Sequence, residues 1–369
     1  MSQRLVVNQN NKPIYDIVFE NDFNNLATEL EKFEIEKKKL CIITDSMVKG
    51  FYADEVCEVL KGKCKQVEVF AFEHGEKSKN LDTVKEIYEF LIEKKFERKD
   101  MLLALGGGVV GDITGYAAST YLRGIDFVQI PTTLLAQVDS SVGGKTGVDF
   151  NQYKNMVGAF YMPKLVYTNV STLKTLDDRQ YYSGMAEVMK YGLIKNAKFY
   201  EWILDSMYEI HERNLETLEE MVLKSCTFKK LVVEKDPTEK GERAILNFGH
   251  TIGHAIEKAM NFELLHGECV ALGSVAAAYI SWKKDYISMD EYYEIRDMFV
   301  PFNLPISIEN IDPEQIYDLT SSDKKMEGNQ IKFILLKKLG KAIIDTTLTK
   351  EQIIEGINEI YFSEEDWDA

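Results

Sequence analysis

Histidine is scarce in this chain, five in 369 residues, yet His250, His254 and His266 fall within 17 consecutive positions. FGHTIGHAIEKA carries helical spacing, which sets His250 and His254 at i and i+4 on one face. LLHGECVALG opens a further helix at His266, across a short connection. Two helices meeting at imidazoles are a way to build a divalent metal site, and a catalytic Zn²⁺ site uses three protein ligands with one position open. A lone histidine is usually structural, but three so concentrated in a histidine-poor chain favour a metal. A carboxylate can complete the set, and SGMAEVMKYG offers Glu187 on an otherwise apolar helix face. An ion pair with Lys190, one turn on, is the plainer use of Glu187.

Two other segments carry chemistry. GGGVVGD, residues 106–112, holds a G-x-G-x-x-G at Gly106, Gly108 and Gly111, after an apparent strand MLLALG and before a helical ITGYAASTYL. Glycines there let backbone approach a pyrophosphate, and the helix start offers unpaired N–H groups at the positive dipole end. A tight turn with no ligand is the alternative, because the match lies outside the first βα unit and no ribose-binding acid is evident downstream. VDSSVGGKTGVDFNQYKNMVGAF, residues 138–160, reads as a glycine-rich polar loop holding Asp139, Lys145, Lys154 and Asn155. Such loops at strand ends bind oxygen-rich ligands, and lysine suits phosphate or carboxylate. An exposed loop without a ligand is the competing reading.

The elements that must position these residues change character along the chain. LCIITD (40–45), QVEVFAFE (66–73), MLLALG and FVQIPTT (127–133) read as strands, and LDTVKEIYEFLIEKKF has apolar residues at helical spacing. Strands alternating with helices predict a parallel, Rossmann-like α/β sheet with helices on both faces and ligands at the strands' carboxyl ends. After LVYTNVSTLKTL the pattern is helical, and four of the seven prolines lie beyond residue 230. This places an α/β domain at 1–173 and an all-α domain at 174–369. Within the second, IKFILLKKLGKAII suggests a small hairpin around Gly340, and SEEDWDA a solvated tail. The net charge of −16 argues against non-specific nucleic-acid binding, which needs a basic face. No apolar run approaches the roughly 20 residues of a membrane span, and the N-terminus lacks a secretory h-region. Five cysteines without a CxxC pair fit a reduced, cytoplasmic protein.

Taken in order along the chain, GGGVVGD, FVQIPTTLLAQVDSSVGGKTGVD, KNMVGAF, SGMAEVMKYG, LNFGHTIGHAIE and LHGECVALG resemble the 3-dehydroquinate synthase family of the shikimate pathway, over residues 40–345 or so. The resemblance implies an N-terminal nucleotide-binding α/β domain at 1–173 and a helical metal- and substrate-binding domain at 174–369 with the active site between them, bound NAD⁺, and Zn²⁺ or Co²⁺. It implies a cytoplasmic homodimer acting on 3-deoxy-D-arabino-heptulosonate 7-phosphate, a phosphorylated sugar acid. The metal ligands would be Glu187, His250 and His266, with His254 contacting phosphate or the ligands instead. NAD⁺ would lie against Asp45, Glu76, Lys79, Gly107, Gly108, Val109, Asp112, Thr132, Thr133, Lys145, Lys154, Thr175 and Leu176. Substrate would meet Asp139, Lys145, Asn155, Lys190, Lys229, Arg243, Asn247 and His254, with Arg123 reaching across the dimer interface and one of Lys324 or Lys325 joining. DPTEKGER departs from the family's acid-rich pattern at Pro237 but keeps Arg243. The rivals are a sister sugar-phosphate cyclase making 2-deoxy-scyllo-inosose or an epi-valiolone, a polyol dehydrogenase, and a nucleotide-binding regulator without catalysis. Arg243, Lys145 and Asn155 together favour a carboxylate-bearing substrate over the sister reactions.

Overall fold

The computed structural model describes residues 3–151, 153–239, 241–322 and 331–362. The chain separates into two compact units, one of Met1–Leu176 with Arg213–Thr238, the other of Asp177–Glu212 with Glu239–Ala369.

The first unit is built on a seven-stranded sheet. Its strands are β1 (Gln3–Gln9), β2 (Lys12–Glu20), β3 (Lys39–Asp45), β4 (Gln66–Phe72), β5 (Met101–Gly106), β6 (Asp126–Pro131) and, beyond a separate hairpin of β7 (Lys145–Phe150) and β8 (Tyr153–Phe160), β9 (Leu165–Asn169). The order is β1-β2-β9-β6-β5-β3-β4, parallel throughout except that β1 runs antiparallel to β2. Period-two alternation divides the core between the two faces. Leu40 and Ile42 of β3 join Leu103 and Val128 on one side, while Cys41 and Ile43 join Leu102, Ala104 and Phe127 on the other. Every residue of β5 is buried, as expected of a central parallel strand covered on both faces. Each such leucine contributes about 1.5–3 kcal/mol.

The helix Gly108–Thr120 follows β5 directly and packs close to β6. At Gly111 a Cβ would stand 2.7 Å from Oε1 of Gln129, so a larger residue there would require the Gln129 side chain to shift. The expected strands over 40–45, 66–73, 101–106 and 127–133 are present to within a residue or two. The β1–β2 hairpin was not anticipated, because its short NQNNK turn is polar and its strands mix charge with apolar residues. Residues 138–160 are also not a loop. Ala136–Ser140 is a π-helical turn, and β7 and β8 pair with Gly147 opposite Gly158. The glycines that suggested a loop serve instead where two backbones touch.

The second unit is helical, with Asp178–Lys195, His250–Ala259 and His266–Lys283 among its helices. It also holds a hairpin, β10 (Phe333–Lys338) and β11 (Lys341–Asp345), turning at Gly340 as the spacing suggested. The division at 176/177 lies near the expected 173/174, but the helix Leu215–Lys235 belongs with the first unit. There the Cys226 thiol donates to the Gln137 carbonyl at 3.1 Å and Lys229 reaches Asp139. An amphipathic helix shows that it has a partner without saying which one. Lys324, Lys325 and the SEEDWDA tail lie outside the described residues.

Candidate active-site residues

In the second unit the helix Asp178–Lys195 brings Glu187 to the two histidine helices. Glu187 has no exposed surface, and its Oε1 lies 3.4 Å from Nε2 of His250 and 3.6 Å from Nε2 of His266. Donor atoms of these three residues lie within 4.8 Å of one another, a nitrogen–nitrogen–oxygen set of the kind zinc and cobalt accept. Nδ1 of His250 is 3.0 Å from the carbonyl of Phe248. A carbonyl only accepts, so Nδ1 carries the proton and the Nε2 lone pair faces Glu187. Burial holds His250 well below its ordinary pKa, and Lys190 pushes the same way, which keeps that lone pair available. Burial opposes protonation of His266 as well, but its hydrogen bond to Glu187 and that carboxylate's charge raise it. Lys190, 2% exposed, also pairs with Glu187. Glu187 therefore makes the ion pair with Lys190 and at the same time stands close to both imidazoles.

Close helix packing makes this meeting possible. A Cβ on Gly267 would lie 1.9 Å from the Ser183 carbonyl, and the Gly267 N–H donates to Ser183 Oγ at 3.0 Å. Ser183 and Glu187 are one turn apart, so the contact that needs glycine beside His266 also delivers the carboxylate. His254 is exposed, with its ring centroid 5.2 Å from that of His250 and 5.8 Å from that of His266. Arg243 is 2% exposed in the turn Glu242–Asn247, and Asn247 Nδ2 donates to Glu239 Oε1 at 3.0 Å.

In the first unit the expected cofactor residues gather at the carboxyl ends of the strands. Asp45 ends β3 and caps the next turn by accepting from the N–H groups of Met47 and Val48; Glu76 and Lys79 follow β4. Gly107 is an extended N-cap with no side chain to satisfy the helix's first donors, beside Gly108, Val109 and Asp112. Thr132 and Thr133 follow β6, and the Thr132 hydroxyl is buried with no hydrogen-bond partner among the described residues. Open helix donors and an unsatisfied hydroxyl at strand ends suit a dinucleotide. Thr175 takes a hydrogen bond with Tyr52, and Leu176 ends this segment with its carbonyl accepting from Arg213 at 2.7 Å.

Lys79 is 7% exposed on its side chain and donates to Asp112 Oδ2 at 2.8 Å and Asn155 Oδ1 at 2.7 Å. Lys154 reaches Glu76 at 3.7 Å, and Lys145 is exposed at the start of β7. Lys229 pairs with Asp139 at 2.8 Å. Arg123 is exposed in a turn where Leu122, Arg123 and Gly124 all have positive φ. Three residues in these neighbourhoods escaped the sequence reading. Asp149 lies inside GGKTGVD; Glu239 lies in the irregular DPTEKGER. Glu257, 3% exposed, sits one turn past His254 with a donor atom within 4.8 Å of those of His254 and His266. Only Glu257 had a spacing signal, at i+3 from one histidine and i+7 from another.

Comparison with known proteins agrees along most of the chain. A family model described as 3-dehydroquinate synthase N-terminal matches residues 69–183, and one described as 3-dehydroquinate synthase C-terminal matches 184–326. The 3-dehydroquinate synthase of Acetivibrio thermocellus is 45% identical over 343 residues, 93% of this chain and 95% of that protein. A crystal structure of 2-deoxy-scyllo-inosose synthase complexed with carbaglucose-6-phosphate, NAD⁺ and Co²⁺ is 28% identical with a TM-score of 0.85, over 97% of this chain and all of the other. A 2-epi-5-epi-valiolone synthase from Streptomyces hygroscopicus subsp. jinggangensis, with NAD⁺ and Zn²⁺ bound, shares the fold at 24% identity and a TM-score of 0.87, over 96% and 99% of the two chains.

Proposed function

The chain belongs to the 3-dehydroquinate synthase family, and we propose that the residues gathered in its two units divide the work of that reaction. It converts 3-deoxy-D-arabino-heptulosonate 7-phosphate into 3-dehydroquinate and phosphate, as a carbon–oxygen lyase. Its cofactors are NAD⁺ and a divalent metal, Zn²⁺ or Co²⁺. The observation that carries the assignment of roles is the convergence of Glu187, His250 and His266.

Those three would hold the metal. The strand-end residues Asp45, Glu76, Lys79, Gly107–Asp112, Thr132 and Thr133, with Lys154, Thr175 and Leu176, would hold NAD⁺. When bound, the metal would supply polarisation of a ring hydroxyl and NAD⁺ a reversible hydride acceptor, with no net redox change. Lys145, Lys229, Arg243, Asn247 and His254 supply donors and positive charge for the phosphate and carboxylate, with Asp139 and Asn155 fixing orientation. Oxidation beside the leaving phosphate acidifies the neighbouring C–H, and the lysines offset the charge of the departing group. The same contacts would keep the enolate of the opened ring and the ketone that accepts it together for closure. Residues 1–173 form the NAD-binding domain in this reading, and 174–369 the metal- and substrate-binding domain, with Lys229 contributed by the helix that joins the first unit. We also propose a cytoplasmic homodimer in which Arg123 serves the other subunit's site. Five free thiols and the exposure of Arg123 support it.

The test is phosphate release from 3-deoxy-D-arabino-heptulosonate 7-phosphate with trace NAD⁺ and divalent metal, before and after chelation. Chelator-sensitive release over many turnovers per NAD⁺, without net NADH, is expected. No release would overturn the substrate assignment and direct the same assay to glucose 6-phosphate and sedoheptulose 7-phosphate.

A further inference from the structure

The β7–β8 hairpin loses its register beyond Val148. Val148 pairs with Val157 but Phe150 pairs with Tyr153, which takes Asn155 out of the ladder. Asn155 turns into the left-handed region, with φ of 52°, and its backbone N–H donates to Asp149 Oδ1 at 2.7 Å. The Asp149 N–H in turn donates to the Lys79 carbonyl at 2.8 Å, and the Lys79 ammonium returns to Asn155 Oδ1 at 2.7 Å. Three hydrogen bonds thus close a ring through Lys79, Asp149 and Asn155. The same ammonium holds Asp112, at the start of the glycine-rich helix, at 2.8 Å. An ammonium only donates, so the Asn155 oxygen must face Lys79 and its NH₂ group is turned the other way. That end is a donor suited to an anionic oxygen.

We propose that Asp149 is a positioning residue for the reaction: by holding the backbone of Asn155 in its left-handed turn, it fixes the amide so that its NH₂ meets a carboxylate or phosphate oxygen of the substrate. The proposal rests on the reading of Asn155 as a substrate residue and of Lys79 as a cofactor residue. Asp149 acts through Asn155 and touches neither ligand. An isosteric amide at 149 keeps an oxygen to accept the Asn155 N–H, whereas alanine removes the acceptor and frees the turn.

The experiment compares Asp149→Ala, Asp149→Asn, Asn155→Ala and the double variant Asp149→Ala/Asn155→Ala in the full chain loaded with metal. It reads kcat and KM for the substrate, and NAD⁺ binding by fluorescence titration. Asp149→Ala is expected to raise KM about tenfold, the scale of one lost hydrogen bond. Its kcat and NAD⁺ affinity should stay within about twofold of wild type. Asp149→Asn should restore KM to within about twofold, and Asp149→Ala should add less than about twofold on the Asn155→Ala background. Three results would overturn the proposal: an Asp149→Asn as impaired as Asp149→Ala, an equal loss of NAD⁺ affinity, or an undiminished tenfold effect without the Asn155 side chain. If Asn155→Ala itself left KM unchanged, the reading of Asn155 as a substrate residue would fall and the proposal with it. A raised KM in Asn155→Ala with none in Asp149→Ala removes the proposal alone. Should Asp149→Ala not fold, Asp149→Ser, whose shorter hydroxyl does not reach the Asn155 N–H, takes its place in every comparison.

Discussion

A carboxylate with no exposed surface, Glu187, sits beside a lysine that is itself 2% exposed and against two imidazoles. Burying such a charge costs several kcal/mol unless cations and hydrogen bonds offset it. The fold accepts that cost at the one place where His250 and His266 also point their nitrogens, which is what a divalent ion would stabilise. His266→Ala is therefore expected to lower turnover by at least about 100-fold and to reduce bound metal, while NAD⁺ binding, which we assign to the first unit, survives. Metal content by atomic absorption and NAD⁺ titration on the same sample check it, and retained activity in metal-free protein would sink the ligand assignment. These residues were legible because their types are rare and their spacing helical. The role of Asp149 was not, since aspartate is common and its significance comes from a register shift that leaves Asn155 unpaired.

Strands and helices with one dominant pattern were readable as elements. The all-apolar β5 and the i, i+4 histidines of His250–Ala259 each announce their environment, whereas β7–β8 did not. Glycine favours loops locally, and only the pairing of Gly147 with Gly158 across two strands gives it another purpose. The late hairpin was visible because Gly340 sits between two apolar runs. What fastens it to the end of the helix His266–Lys283 is visible only in three dimensions. Asp345, closing β11, accepts from Lys284 at 2.8 Å and from the Thr347 N–H and hydroxyl at 2.7 and 2.8 Å. Burial alone would raise its pKa, but these hydrogen bonds and the Lys284 charge hold it below the ordinary carboxylate value. A depressed native pKa favours the folded state above the unfolded value of about 3.9 and stops doing so as pH falls through the native one. Asp345→Asn should accordingly cost about 1–2 kcal/mol at pH 7. In urea melts from pH 7 to pH 3 the gap from wild type should close in the acid range, and a gap independent of pH would refute the assignment.

Across the whole molecule, the function proposed above assigns each unit its own part of the reaction and gives Arg123 to the site of a second subunit. Arg123→Ala is expected to lose activity, as is His250→Ala, yet mixing the two under subunit exchange should restore a fraction near a quarter of wild type, because a random dimer then holds one intact site in half of the population. No recovery in freely exchanging mixtures would show that Arg123 acts within its own chain. The chain passes between units three times, at 176/177, 212/213 and 238/239. Translation is vectorial, so that connectivity becomes a schedule. The first unit's sheet is complete long before Leu215–Lys235 is made, and Glu187 emerges 79 residues ahead of His266. At about 5–20 residues per second the carboxylate waits roughly 4–16 s for His266. Metal capture by the proposed ligands thus belongs to the stage of synthesis after His266 has been made.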